Sequence, residues 1–269
     1  MTVADPRLRK ALSRATGELT PEGLAKVTRL EWSEYEAEAD RRWKPVEGLA
    51  GLEGCAALEY VGLVGNRVRD LAPLAPLAQL TEVWLQRNEL GGDLRAFGAH
   101  PRLRVLQLSG NRLSALDGVE GCPALAELGV DANQLASLAP LAGLARLEKL
   151  RADRNLVADV APLAGLAALR ALWLSDNPLA DVAPLAALTG LATLHLADTR
   201  VDDLGPLLAL PRLEEVVVRG TPGASTPAGR AVVEALLARG VRVDGERRAG
   251  ADAGWVVTPV ALVRFAPRG

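Results

Sequence analysis

The sequence predicts an α/β solenoid, a stack of short coils that each contribute one brief strand. Three observations predict it. A nine-residue phrase, LxxLxLxxN, recurs at a nearly constant interval. Leucine and alanine, 49 and 46 of 269 residues, make up a third of the chain while only 3% is aromatic, so the core is a repeated aliphatic position. Between phrases the leucines return every third residue, as at Leu71, Leu74, Leu77 and Leu80, a spacing that fits 3₁₀-like turns and not an α-helix of period 3.6.

Taken in order, residues 5–16 (DPRLRKALSRAT) open with Asp then Pro, a helix start, and TPEGLAKV follows as a second short turn of helix. A degenerate phrase, VTRLEWSEY, ends at Tyr35, and an insertion, EAEADRRWKPVEG, interrupts the period near residues 36–48. Eight phrases then end at Asn66, Asn88, Asn111, Asn133, Asn155, Asn177, Thr199 and Thr221, every 22 residues apart from one interval of 23. The alternating apolar pair in each phrase reads as a short strand. The Asn after it closes the coil by satisfying backbone groups that turn away from the strand ladder. Asp70, Asp159, Asp181 and Asp203 stand four residues beyond the Asn or Thr, with Pro73, Pro162, Pro184 and Pro206 three further on. That spacing suits a capped turn that cannot lengthen into a helix. Gly91 and Gly92 fall in the 23-residue unit, where they accommodate its extra residue. STPAGRAVVEALLARGVRVD reads as a closing helix followed by a strand, Val241–Val243, and WVVTPVALVRF in the tail has strand-like composition.

The 22-residue period with its LxxLxLxxN phrase and DxxPL turn resembles the leucine-rich repeat family, in particular its internalin-like and phosphatase-regulator-like branch. The resemblance covers roughly residues 20–243. It implies a curved solenoid with a parallel β-sheet on the concave face and short 3₁₀-like turns on the convex face. The chain divides into a helical N-terminal cap (1–26), a solenoid of about nine coils (27–221), a helix–strand C-terminal cap (222–244) and a tail (245–269). Caps are expected because an open-ended stack exposes its core. Family members mostly bind proteins, which implies a protein partner without naming one.

Composition narrows the function. A formal charge of −2 argues against dedicated nucleic-acid binding, which needs a strongly basic face. Two cysteines make no disulfide framework, the N-terminus does not read as a signal peptide, and no stretch reads as a membrane span. The expected location is the cytoplasm, with no membrane association and no cofactor. Cys55 and Cys122 share a turn column with His100 and otherwise with leucines, so they are expected in the core, too far apart to chelate a metal. His195 lies close in sequence to Asp176 and Asp198, but no activated nucleophile accompanies it, and an enzyme is not expected.

In each phrase positions 4 and 6 point inward, which leaves positions 3, 5, 7 and 8 on the concave face. The fifth position reads Glu31, Gly62, Trp84, Gln107, Gly129, Arg151, Trp173, His195 and Val217. Trp84 and Trp173, four coils or roughly 19 Å apart at strand spacing, are candidate interface anchors. The competing interpretation is that each indole simply lies flat over its neighbouring coils. Around them Arg87, Arg151, Arg154 and Lys149 interleave with Asp131, Asp153, Asp176 and Asp198. This is either a solvated mixed-charge face or electrostatic complementarity to a partner. The candidate partner-binding set is Trp84, Trp173, Arg87, Arg151, Arg154, Gln107, His195, Asp131, Asp153 and Asp176. The expected function is that of a non-enzymatic scaffold or regulator binding a protein through the concave face. Two alternatives remain open: a structural subunit of a larger complex, contacting it through the tail and the 36–48 insertion, and a secreted adhesin stacking sugars on Trp.

Overall fold

The computed structural model of the chain describes residues 3–17, 19–33 and 44–244. Residues 36–43 of the insertion, including Trp43, and the whole 245–269 tail with its strand-like segment lie outside the described residues.

Helix α1 (Pro6–Thr16) begins where the sequence places a helix start. The Asp5 Oδ1 atom accepts the N–H groups of Arg7 (2.7 Å) and Leu8 (3.1 Å), while Oδ2 accepts those of Glu47 (2.9 Å) and Gly48 (3.4 Å). One carboxylate thus caps the helix and pins it to the first full coil. Partial burial opposes its ionisation, but these four donors outweigh that and hold the Asp5 carboxyl below its usual range. Leu8, Ala11 and Leu12 line the buried face of the helix. A single turn, α2 (Pro21–Leu24), leads to the buried Trp32, whose indole N–H donates to Lys44 O (3.1 Å). The Arg14 guanidinium lies 4.9 Å from the centroid of that ring.

Ten strands follow in one parallel sheet. They are β1 (Arg29–Glu31), β2 (Tyr60–Gly62), β3 (Glu82–Trp84), β5 (Val105–Gln107), β7 (Glu127–Gly129), β8 (Lys149–Arg151), β9 (Ala171–Trp173), β10 (Thr193–His195), β11 (Glu215–Val217) and β12 (Arg242–Val243). Each pairs with the next in sequence order, so position 5 of every phrase sits beside position 5 of its neighbours, as in Gly62–Trp84–Gln107. The remaining two, β4 (Gly91–Gly92) and β6 (Arg112–Leu113), form a separate two-stranded ladder beside the 23-residue unit.

The repeat's first, fourth and sixth positions fill the core: Leu80, Val83 and Leu85 are fully buried, and the same triplet repeats along the stack. Burying each such side chain contributes about 2 kcal/mol. Opposite the sheet, 3₁₀ turns such as Ala72–Leu74, Ala139–Leu141 and Ala161–Leu163 carry the prolines. The expected Asp caps are present. Oδ1 of Asp70, Asp159, Asp181 and Asp203 accepts the N–H two residues on, at 2.8–2.9 Å.

The asparagines form an inner ladder, all buried. Asn88 is representative. Its Oδ1 accepts Val68 N–H from the preceding coil (2.9 Å), and its Nδ2 donates to Leu63 O (2.8 Å) and Leu85 O (3.0 Å). Each asparagine therefore ties two coils together through main-chain groups that lie beyond the strands. Thr199 and Thr221 donate within their own coils, to Leu196 O and Val218 O.

Cys55, His100 and Cys122 are all fully buried, as their shared turn column implies. Burial pushes both thiols up to about 11. His100 differs from its column-mates in one respect. Elsewhere in the column the residue's own N–H closes the turn, as in Cys55 N–H to Leu52 O and Leu77 N–H to Leu74 O. In the 23-residue unit the His100 N–H is diverted to Gly121 O, and the ring Nε2 meets Phe97 O at 2.9 Å instead. The imidazole replaces a backbone hydrogen bond that the extra residue displaces.

At the far end, α3 (Pro227–Ala238) is capped by Thr226, whose Oγ1 accepts Gly229 N–H. The Arg239 guanidinium donates to Leu208 O (3.0 Å) and Leu210 O (2.5 Å), which fastens the helix to the last coil, and β12 extends the sheet.

Candidate functional site

The open face of the sheet carries the candidate residues, and the fifth-position column brings three of them into one row. On adjacent strands β8, β9 and β10 stand Arg151, Trp173 and His195. The Arg151 guanidinium lies 5.3 Å from the Trp173 ring centroid, and His195 meets the indole edge-on at 5.8 Å. His195 Nε2 is 3.3 Å from Glu215 Oε1 on β11, and the other Glu215 oxygen accepts from Arg242 on β12 at 2.5 Å. Five neighbouring strands thus carry a continuous chain of cation, indole, imidazole, carboxylate and cation.

Electrostatics sharpen the roles. Burial lowers the pKa of His195 despite the adjacent carboxylate, so at neutral pH the ring is uncharged, and a carboxylate partner selects the tautomer with a proton on Nε2. Burial also opposes Glu215 ionisation, but the Arg242 and His195 hydrogen bonds win and hold it low. Trp173 is therefore a platform fixed on both sides. Trp84 is held more loosely, by a single hydrogen bond from Nε1 to Glu82 Oε2 at 3.2 Å. Gln107, its neighbour on β5, turns the other way and its amide occupies the space that a Cβ on Gly129 would need. The two tryptophans remain separate features, four strand steps apart.

His195 is not paired with Asp176 or Asp198. Both aspartates stand at position 8, past the strand, whereas Glu215 sits at position 3 of the neighbouring strand and on the same face as His195. Position 8 has a conformational signature of its own. Arg87, Ala132, Arg154, Asp176 and Asp198 all have φ between 52° and 56°, and Gly65, Gly110 and Gly220 lie at 70–74°. Each of the eight coils from Gly65 to Gly220 turns there through the left-handed region, which places Arg87, Arg154 and Asp176 at the sheet's rim. Arg154 and Asp176 pair at 3.6 Å and stay largely exposed, a contact worth little on its own.

Asp131 and Asp153 contribute to the architecture as well as to the surface. Asp131 Oδ1 accepts Asp153 N–H (3.2 Å), and Asp153 Oδ1 accepts Ser175 N–H (2.7 Å), so the sheet ladder continues one step past the strands. Asp131 also accepts from Ser109 Oγ (2.9 Å) and pairs with Arg151 (3.4 Å). Burial, reinforced by the neighbouring Asp131 charge, pushes the Asp153 carboxyl up to about 6. Lys149 is paired with Glu127 at 2.6 Å.

Sequence reasoning missed Glu215, Arg242 and Glu82, and also an N-terminal cluster in which Tyr60 donates to Glu31 (2.8 Å) beneath the Arg29 guanidinium. All but Glu31 lie in the third-position column, which shares the face with the fifth and was legible from the same phrase. Among the described residues no group of side chains is arranged to hold a metal ion, and no helix is long and apolar enough to cross a membrane.

No protein-family model and no curated protein matches the chain. Solved structures do. Internalin C2 of Listeria monocytogenes is 30% identical with a TM-score of 0.73, over 80% of this chain and 93% of that one. Internalin InlF of the same organism is 26% identical, also with a TM-score of 0.73, over 81% of this chain, which spans only 63% of InlF's length. The ectodomain of the Arabidopsis thaliana receptor kinase GASSHO1/SCHENGEN3, solved in complex with CASPARIAN STRIP INTEGRITY FACTOR 2, shares the fold at 21% identity, with a TM-score of 0.53 over 65% of this chain and 26% of that one. Repeat period, strand ladder and this similarity agree: the chain belongs to the leucine-rich repeat family and carries the internalin-like form of the repeat.

Proposed function

We propose that the chain is a non-enzymatic scaffold or regulator that binds a protein partner through the open, concave face of its sheet. The fold is one that serves protein interaction, and the observation that carries the reading is the row Arg151–Trp173–His195–Glu215–Arg242. An amphipathic aromatic held between a guanidinium and an imidazole on a rigid sheet has already lost the rotamer freedom that binding would otherwise cost. Trp173 is the primary anchor and Trp84 the second. Arg87, Arg154 and Asp176 at the rim, with Gln107, Asp131 and Asp153 on the face, tune specificity and association rate. His195 acts here as a neutral wall for the indole, which supports a binding role over catalysis. The two free thiols are buried, and the cytoplasm is the setting we adopt.

The test is affinity capture from native lysate with wild type and the Trp84→Ala/Trp173→Ala double variant, after circular dichroism establishes that both are folded. A protein retained by wild type and lost by the variant is the expected result. Capture that survives both substitutions would remove the open face from consideration.

A further inference from the structure

On the flank of the solenoid where each coil enters its strand, charge is arranged differently from the open face. Across the sheet, arginines meet acids: Arg151 with Asp131, Arg154 with Asp176, Arg242 with Glu215. On the entering flank, Arg104, Arg146, Arg170 and Arg212 have no carboxylate within 4.0 Å among the described residues. Two of them border a hollow of about 390 Å³, lined by Arg170, Gly190, Ala192, Pro211, Arg212 and Glu214 among others. The hollow exists because one coil presents two small residues there. At the position before the phrase, Gly190 stands between Ala168 and Arg212 of the neighbouring coils. At the second position, Ala192 stands between Arg170 and Glu214.

Gly190 also positions its neighbour. The Arg170 guanidinium lies where a Cβ on residue 190 would be, and its Nη1 donates to Ala167 O at 3.3 Å. One of five N–H donors is thereby used, and the others remain for a ligand. Arg170 and Arg212 are two coils apart, about 10 Å at strand spacing, a span that two flexible side chains close around one oxyanion. Glu214 on the far wall adds an acceptor and repels a bare anion, so it favours an anion carrying a hydrogen-bond donor beside it.

From this geometry we infer that the hollow between Arg170 and Arg212 is a binding site for an oxyanion presented on a peptide, a phosphorylated or carboxylate side chain whose adjacent main-chain N–H reaches Glu214. The site shares no residue with the open face and stands independently of the function proposed for it.

Titration of the full-length chain with inorganic phosphate and with acetate, at constant ionic strength set by chloride, tests this through the arginine Nε–Hε resonances. Saturable shifts confined to Arg170 and Arg212 are expected, with half-saturation on the order of 1 mM for these fragments of the ligand. Saturation by phosphate alone assigns a phosphorylated side chain, by acetate alone a carboxylate, and by both the shared oxyanion chemistry. Arg170→Gln and Arg212→Gln, exposed substitutions that leave the core intact, are each expected to weaken binding about tenfold. Gly190→Ala, which puts a methyl where the guanidinium rests, weakens it too. Shifts that stay linear with concentration, or that spread equally over the surface arginines, would overturn the assignment.

Discussion

The inner ladder and the open face are written in the same nine-residue phrase, yet they respond differently to change. At the ladder, every asparagine serves main-chain groups in two coils, in a setting largely closed to water. On the face, contacts run between side chains at half-exposed positions, and several neighbours could substitute for one another. The ladder has one chemical solution in six consecutive coils; the face has a different residue at almost every rung. Constraint follows the dielectric: an unmet buried backbone group costs free energy that an unmet surface charge recovers from solvent.

The largest effect expected from that contrast is at the ladder's centre. Asn133→Ala orphans Leu113 N–H and removes one of the two asparagine donors from each of the Leu108 and Val130 carbonyls, which keep Asn111 and Asn155, and should cost about 2–4 kcal/mol in urea unfolding. A loss under about 1 kcal/mol would mean that water replaces the amide, and the contrast would fail. His100→Leu comes next. Leucine is native at that column in five other coils, yet here it should destabilise by about 1–2 kcal/mol, because the ring N–H that serves one of the two carbonyls it faces, Phe97 O and Leu77 O, is lost. A neutral or stabilising result would reduce His100 to filler.

On the face, Asp153→Asn keeps an oxygen for Ser175 N–H and removes the buried charge. The folded carboxyl titrates near 6 against 3.8 for the ordinary group, so the folded state holds its proton more tightly. Its favourable contribution is complete below pH 3.8 and is lost as pH rises through 6. The variant should therefore gain about 1 kcal/mol over wild type at pH 8 and nothing at pH 3.5, a difference thermal melts at the two pH values would resolve. The smallest effect expected is at the rim. Ala132→Gly relieves a left-handed alanine at the expense of a more flexible unfolded chain and should stabilise by about 0.5 kcal/mol. A clear loss would show that the turn tolerates Cβ groups without strain.

Legibility in the sequence divides along the same line. Strand, turn, cap and ladder could be read because each depends on residue type at a fixed interval. LxxLxLxxN placed Asn88 in the ladder, and DxxP placed Asp159 over its turn. The row on the face could be read only in part. Trp173, Arg151 and His195 share a column, but Glu215 enters diagonally from the next strand, a relation that needs the register. The left-handed turn was also written, as Gly65, Gly110, Asp176 and Gly220 in one column. Arg87, Ala132 and Arg154 in the same column obscured it, since coil stacking imposes there a conformation their own preferences disfavour. The structural share of Asp131 and Asp153 had no sequence signal, because it depends on which main-chain N–H lies one coil away.

The strict residue-for-residue pairing of β7 to β11 has one more consequence. Each coil between them touches only the coil before and the coil after, and each is 22 residues long, so a whole unit can be deleted or duplicated with both cut ends meeting surfaces they already fit. Duplication of the unit that carries β7 leaves the caps and the Arg151–Trp173–His195–Glu215–Arg242 row untouched and moves Trp84 relative to Trp173 by one strand spacing, about 4.8 Å. The protein is in this sense a ruler with exchangeable graduations, able to refit a partner of different length in a single genetic step.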